Sequence, residues 1–232
     1  TKWFTNQIES GYKSLSNALF ATPVPNGTGT EVVFGVPSSS DEPWHSIYQS
    51  LVGGDVMLLS LLILFLCVQG RHFIRIFDVG SARRERQTSQ YAWLGGIFIV
   101  GWYWIGVLVL YFTKGLTIAI IPDTRQVGLA LFEMLPAAAG NPIFTLMLAS
   151  VGASAIILLK AVFFIRDILL YIYLFGMPLG IAVVYGNVPV LSRIVKRLAL
   201  QFVPLAILPL PAAVLFRGYA LLFGGDPVIT PA

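Results

Sequence analysis

Five apolar runs of about 20 residues constrain the fold of this chain more than any other feature of its sequence. The runs cover residues 51–69, 93–112, 143–165, 168–188 and 198–223. A helix of that length spans the hydrocarbon core of a bilayer, and in lipid a helix satisfies every backbone amide within itself. A transmembrane β-barrel would instead show alternating stretches of about 10 residues. The sequence therefore predicts an all-α, polytopic integral membrane protein with about five transmembrane helices.

The composition agrees with a protein that exposes apolar surface to lipid. Of the 232 residues, 56% are apolar and 11% are charged, whereas about 25% of the residues in soluble domains are charged. So little charge cannot coat a soluble globule of this size, which argues against a soluble enzyme, a disordered protein and a coiled coil. The single cysteine, Cys67, and the two separated histidines, His45 and His72, offer no disulfide framework and no metal site. We therefore predict a non-enzymatic protein with no catalytic residue and no cofactor.

Five arginines between the first two runs indicate how the chain is oriented. They are Arg71, Arg75, Arg83, Arg84 and Arg86. Because short loops rich in Lys and Arg stay in the cytoplasm, we expect this loop inside, the N-terminus outside and, with five spans, the C-terminus in the cytoplasm. The same arginines can bind anionic lipid headgroups. Three further cations, Arg193, Lys196 and Arg197, would then lie outside against the rule, so four or six spans stay open as alternatives.

The N-terminal part of the chain has the pattern of an amphipathic surface helix. Over residues 2–20, apolar side chains recur at helical spacing at Phe4, Ile8, Tyr12, Leu15 and Leu19. Such a helix lies in the membrane interface, docks on a partner or packs on the protein's own external loops. A polar segment follows, in which Asn26 begins an Asn-Gly-Thr triplet that fits an N-glycosylation acceptor. The predicted domains are 1–46 for the extracytoplasmic helix and polar loop, 47–224 for the transmembrane domain and 225–232 for a tail.

Ionisable residues in the apolar stretches are candidates for lining a pore or for pairing with another charge. They are Asp55, Glu133, Lys160, Arg166 and Asp167. The last three cluster where the third run meets the fourth. There we expect the cations to reach water along their apolar stems while one local ion pair forms. We expect Asp55, near the outer end of the first run, to reach water directly.

Small residues in the third run predict close contact between helices. They are Ala149, Ser150, Gly152 and Ala153. This packing pattern fits either a hairpin of the third and fourth runs or an interface between subunits.

The distal third of the chain carries a pattern similar to that of a known family. Arg166-Asp167 opens an apolar hairpin that ends in Gly-Met-Pro-Leu-Gly at 176–180, a basic connector follows at 190–197, and prolines 204, 209 and 211 interrupt the last run. Together with the N-terminal amphipathic helix, this layout resembles the TrbL-type polytopic membrane subunit of type IV secretion and conjugation systems. The resemblance implies a non-enzymatic, oligomeric subunit at the base of a translocation channel or pilus, with a partner ATPase and pilus-like subunits.

Two other functions are compatible with the sequence. One is a structural membrane protein of a viral envelope or of another membrane complex, and the other is a small-solute or ion channel or transporter. In each case the partners include membrane lipids, and a homo-oligomer or a multi-subunit complex is expected. Direct nucleic acid contact stays open, because the arginine-rich stretch shows no aromatic stacking pattern beyond Phe73 and Phe77.

Overall fold

The computed structural model describes residues 22–27, 34–75, 82–121 and 142–223. Its helices are α1 (Trp44–Leu51), α2 (Asp55–Arg75), α3 (Ala82–Ile120), α4 (Pro142–Tyr185), α5 (Pro189–Ile207) and α6 (Pro209–Phe223). No strand occurs in the described ranges, so the prediction of an all-α architecture is confirmed. The predicted surface helix at 2–20 and the predicted tail at 225–232 lie outside the described residues.

By length and composition, four helical stretches in the described part of the chain can cross a membrane. They are Trp44–Phe73, Gln90–Ile120, Ile157–Tyr185 and Val190–Leu215. The count is one below the predicted five, because the third and fourth apolar runs lie on one continuous helix of 44 residues, α4. The hairpin predicted at Arg166-Asp167 is therefore wrong. The two charges suggested a turn there, but no glycine or proline lies between residues 153 and 175 of the helix, and Arg166 finds partners within the fold.

The contacts between α-carbons divide the chain into two units. One comprises Thr1–Thr22, Phe112–Ile168 and Ala206–Ala232, and the other comprises Pro23–Tyr111 and Leu169–Leu205. The first unit has a small apolar core in which Phe163 of α4 and Ala213 of α6 are buried together. In the same unit α3 carries a buried polar pair, since the hydroxyl of Thr117 donates to the carbonyl of Thr113 at 2.7 Å.

In the second unit, the directions of α2, α3 and α4 alternate. Leu64 of α2, Ile99 of α3 and Ala182 of α4 form its buried core cluster. At one end the rings of Trp44 and Tyr171 meet edge to face, with centroids 5.4 Å apart. At the other end Gly186, just after α4, lies so close to Cys67 that a Cβ built on the glycine would be 2.7 Å from the Cβ of Cys67. The chain therefore runs in the same direction through α1–α2 and through α4.

Helix α3 runs antiparallel to these two. Near its start Phe98 stacks on Tyr185, with ring centroids 5.8 Å apart. One turn later the indole N–H of Trp102 donates to the carbonyl of Leu174 at 2.9 Å. This alternation is what consecutive membrane spans require.

The polar segment before α1 is attached to α3. The hydroxyl of Tyr103 donates to the carbonyl of Gly35 at 2.6 Å, and the hydroxyl of Tyr111 donates to the carbonyl of Pro25 at 2.8 Å. Gly35 has φ +66°, and a Cβ there would lie 2.8 Å from Cγ1 of Val107. Only glycine combines this backbone conformation with so close an approach to a helix. We call the described residues 22–27 and 34–43 the strap.

Candidate functional site

Arg166 is the one fully buried charged side chain among those the structure describes. It lies in the middle of α4 with 1% of its surface exposed. Its Nη1 donates to Oδ1 of Asp167 at 2.9 Å, and its Nη2 donates to the backbone carbonyl of Ala206 at 3.1 Å. The guanidinium carbon also lies 5.9 Å from the ring centroid of Phe163. We call these four residues the Arg166 cluster.

The position of Ala206 explains why a cation is useful there. Ala206 lies in the last turn of α5, which ends at Ile207, and α6 begins with Pro209. Backbone carbonyls in the last turn of a helix lack partners within the helix, and a proline offers no N–H to a preceding carbonyl. The break falls inside the candidate span Val190–Leu215, where lipid provides no hydrogen bonds. Arg166 supplies one of the missing donors from α4.

The contacts of the Arg166 cluster hold α4 and the end of α5 in one relative position. The planar guanidinium donates to a carboxylate and to a backbone carbonyl and lies near an aromatic ring. Removing one partner of a buried ion pair typically costs about 3–5 kcal/mol, because it leaves the other charge uncompensated. The cluster therefore stabilises one arrangement of α4 and the α5–α6 break.

The structure revises the expectation for Arg166 and Asp167. The predicted local ion pair forms, and the side chain of Asp167 keeps 31% of its surface exposed. The prediction that Arg166 reaches water along its stem is wrong, because partners within the fold satisfy its guanidinium at 1% exposure.

The other candidate charges lie in different surroundings. Lys160 is half-buried on α4. Asp55 is the first residue of α2 and is exposed, so its negative charge faces the favourable end of that helix's dipole. Glu133 lies outside the described residues.

The arginines predicted to set the topology lie on helical extensions. Arg71 is half-buried near the end of α2, Arg75 is the last residue of α2, and residues 83, 84 and 86 belong to the first turns of α3. The side chains of Arg75, Arg83, Arg84 and Arg86 lie outside the described part of the structure.

Of the remaining predicted positions, few have described side chains. Ser150 of α4 is exposed, whereas the side chains of Ala149, Gly152 and Ala153 lie outside the described part. The surface-helix residues Phe4, Ile8, Tyr12, Leu15 and Leu19 also lie outside it. Asn26 is exposed in the strap, and its backbone N–H donates to Oδ2 of Asp41 at 2.6 Å.

Sequence reasoning missed an apolar groove between α2 and α3 in the second unit. Its volume is about 810 Å³. The lining includes Leu64, Phe65, Val68, His72, Trp93 and Ile97. The helical spacing of the α2 members was a usable signal, but the fully apolar helix gave no reason to prefer one face over another.

Comparison with known proteins identifies the family of this chain. The sequence profile of the TrbL/VirB6 plasmid conjugal transfer-like proteins matches residues 1–232. The chain belongs to this family. No curated protein and no solved structure matches it.

Membership of the TrbL/VirB6 family confirms the resemblance noted in the distal third of the sequence and extends it over the whole chain. It assigns the chain to the membrane subunits of conjugal transfer and type IV secretion systems. Proteins of this family belong to multi-subunit conjugation and secretion complexes, which is consistent with a membrane complex. The four candidate spans agree with an integral membrane location.

Proposed function

We propose that this protein is a non-enzymatic, structural subunit of a conjugative translocation machine, at the base of its channel or pilus. The observation that carries the proposal is the family match over all 232 residues of a chain with four candidate spans. We further propose that it acts as an oligomer and that a partner ATPase supplies the energy. The family assignment favours this function over an envelope protein or a small-solute channel.

The Arg166 cluster supports a structural role. A charge that conducts ions must exchange its partners with the passing solute. Arg166 is instead 1% exposed and bonded to Asp167 and Ala206. Its expected contribution is to keep the break between α5 and α6 in one conformation.

We also propose an orientation for the four spans. Because Cys67 contacts Gly186, the ends of α2 and α4 lie together, which brings Arg71 to the same end as the start of α5. The exposed cations Arg193, Lys196 and Arg197 follow on α5. By the positive-inside rule this end is cytoplasmic, and the strap with Asp41 and Glu42 lies outside. With four spans the end of α6 is then also outside, which replaces the cytoplasmic C-terminus expected for five spans.

The first experiment tests the function in the native setting. We expect deletion of the gene to abolish conjugal transfer and a plasmid copy to restore it. From gently solubilised native membranes, the tagged full-length chain should co-purify with an ATPase and pilus-like subunits in a particle larger than a monomer.

Three results would contradict the proposed function. Undiminished transfer in the deletion strain would exclude a role in the machine. A lone monomer that conducts small ions in proteoliposomes would favour a channel, and co-purification with capsid or spike proteins would favour an envelope protein.

A further inference from the structure

We propose that Trp102 on α3 keeps a hinge in α4 closed. The hinge lies at residues 174–178. It positions the end of α4, the turn that follows and the start of α5, residues 179–197, which we call the α4–α5 hairpin. With the hinge closed the hairpin keeps the position seen in the structure, and with the hinge open it takes a second position. This inference goes beyond the proposed function and does not depend on it, since it rests on contacts within the second unit.

A proline inside α4 leaves one backbone carbonyl without its helical donor. Pro178 lies within the helix and is buried. In an α-helix each carbonyl accepts from the N–H of the fourth residue after it. Since proline has no N–H, Pro178 leaves the carbonyl of Leu174 unpaired within α4. Both residues lie in the candidate span Ile157–Tyr185, where lipid provides no replacement.

Trp102 supplies the donor that Pro178 lacks. Its indole N–H donates to the carbonyl of Leu174 at 2.9 Å. The indole has a single N–H, so this bond uses its whole capacity to donate. The same ring meets Phe202 of α5 edge to face, with centroids 5.7 Å apart. One side chain of α3 therefore selects the conformation of α4 that directs the freed carbonyl towards α3, and it also contacts α5.

Glycines on either side of Pro178 make this part of α4 easy to bend. Gly176 is exposed, and a Cβ built on it would meet nothing within 4 Å. Glycine has a low helix propensity, and prolines are the usual sites of kinks in helices. A Cβ built on Gly180 would lie 2.7 Å from Cγ1 of Val195 on α5. Because of this close contact, the end of α4 and the start of α5 move together.

The contacts of the hairpin with α2 and α3 include an apolar cluster. Ala182 is buried in the core cluster with Leu64 and Ile99. In a bilayer the acyl chains are as apolar as these side chains, so such contacts lack the hydrophobic driving force that they have in water. The hydrogen bond from Trp102 therefore weighs heavily in the choice between the two positions of the hairpin.

The α4–α5 hairpin carries a cationic surface. Arg193, Lys196 and Arg197 are all exposed on the first turns of α5. A change in the direction of α4 at Pro178 displaces these three charges together. The bond between Trp102 and Leu174 thus controls where the cationic surface lies.

Distances between spin labels on the full-length chain in proteoliposomes test this hinge. In a Cys67→Ala background, labels at Leu108→Cys on α3 and Val190→Cys at the start of α5 report the position of the hairpin, because both positions are exposed. We expect a single distance when Trp102 is present. Trp102→Phe keeps an aromatic ring but loses the N–H, and it should add a second distance. Trp104→Phe, at an exposed position of the same helix, should keep the single distance.

Pro178→Ala is the matched rescue. Alanine returns an N–H that can bond to the carbonyl of Leu174 within α4. Trp102→Phe in the Pro178→Ala background should therefore show a single distance. Trp102→Phe should also lower the folding equilibrium constant about fivefold more in the presence of Pro178 than in the Pro178→Ala background, since only there does it remove the one donor.

Three results would overturn the proposal. The first is an unchanged single distance in Trp102→Phe. The second is a second distance that persists when Trp102→Phe is combined with Pro178→Ala, because the proline would then not be the cause. The third is an equal loss of stability from Trp102→Phe in both backgrounds, which would reflect packing alone. If Trp102→Phe does not fold, folding of the combined variant supports the hinge, and failure of both to fold contradicts it.

Discussion

Arg166 on α4 donates a hydrogen bond from Nη2 to the backbone carbonyl of Ala206, 40 positions later in the chain, at 3.1 Å. The acceptor lies one residue before the end of α5, next to the break that precedes Pro209. Arg166 is 1% exposed, and it thus gives a hydrogen bond to a backbone carbonyl at the break before Pro209. This break lies within a candidate membrane span. The relationship makes Arg166 the residue whose loss should disturb the first unit most.

Replacing Arg166 by leucine should lower the free energy of unfolding by about 1–3 kcal/mol, because the Ala206 carbonyl loses its donor and the partly exposed Asp167 loses its ion-pair partner. Thermal unfolding of the detergent-solubilised protein measures this loss. The double variant Arg166→Leu, Asp167→Leu should recover part of it. Arg217→Leu is the matched control, since Arg217 is exposed on α6. Equal unfolding temperatures for Arg166→Leu and Arg217→Leu would contradict a structural role for the cluster.

Replacing Tyr103 or Tyr111 by phenylalanine should loosen the strap. Each change removes one hydroxyl that donates to a strap carbonyl, at Gly35 or Pro25, and each lost bond is worth about 1 kcal/mol. Hydrogen exchange of residues 34–43 should become faster, and the double variant should show the larger effect. Tyr91→Phe, at an exposed position of the same helix, should leave the exchange unchanged. If Tyr91→Phe accelerates the exchange as much as Tyr103→Phe or Tyr111→Phe does, the two tyrosine hydrogen bonds are not what holds the strap on α3.

Two adjacent glycines on α3 should respond in opposite ways to alanine. A Cβ at Gly95 would lie 2.6 Å from the Cβ of Tyr185, whereas a Cβ at Gly96 meets nothing within 4 Å. Gly95→Ala should therefore destabilise the protein by about 1–3 kcal/mol. Gly96→Ala should be neutral or stabilise it by up to about 1 kcal/mol through helix propensity. Unfolding curves of the two variants measure this difference. Similar stabilities of Gly95→Ala and Gly96→Ala would contradict the close packing of α3 against α4.

Accessibility of single cysteines should distinguish four spans from five. In a Cys67→Ala background, a membrane-impermeant maleimide applied to right-side-out vesicles should label Ser39→Cys and leave Arg193→Cys unlabelled. Both positions are exposed, so labelling reports the side of the membrane. With four spans, Leu221→Cys should label like Ser39→Cys. Protection of Leu221→Cys together with labelling of Ser39→Cys would restore the cytoplasmic C-terminus and an odd number of spans.

The predicted elements failed at one point for a definable reason. Hydropathy predicts that Arg166 and Asp167 separate two spans, because a hydropathy scale counts each charge as unfavourable whatever its partners are. In the structure the pair forms and the helix continues through it from Pro142 to Tyr185. The pairing of neighbours in sequence was predictable, whereas burial of the arginine was not.

The apolar runs by themselves determined that the chain is an all-helical membrane protein, and the distal pattern pointed to its family. Both follow from local properties, since solvation cost and helical periodicity are set by residues close in sequence. Only the tertiary structure decided that Arg166 bonds to Ala206, that the strap bonds to Tyr103 and that α2 and α3 leave a groove. Each of these relationships joins residues far apart in the chain. They depend on which faces of nearly uniform apolar helices pack together, and hydrophobicity alone cannot select those faces.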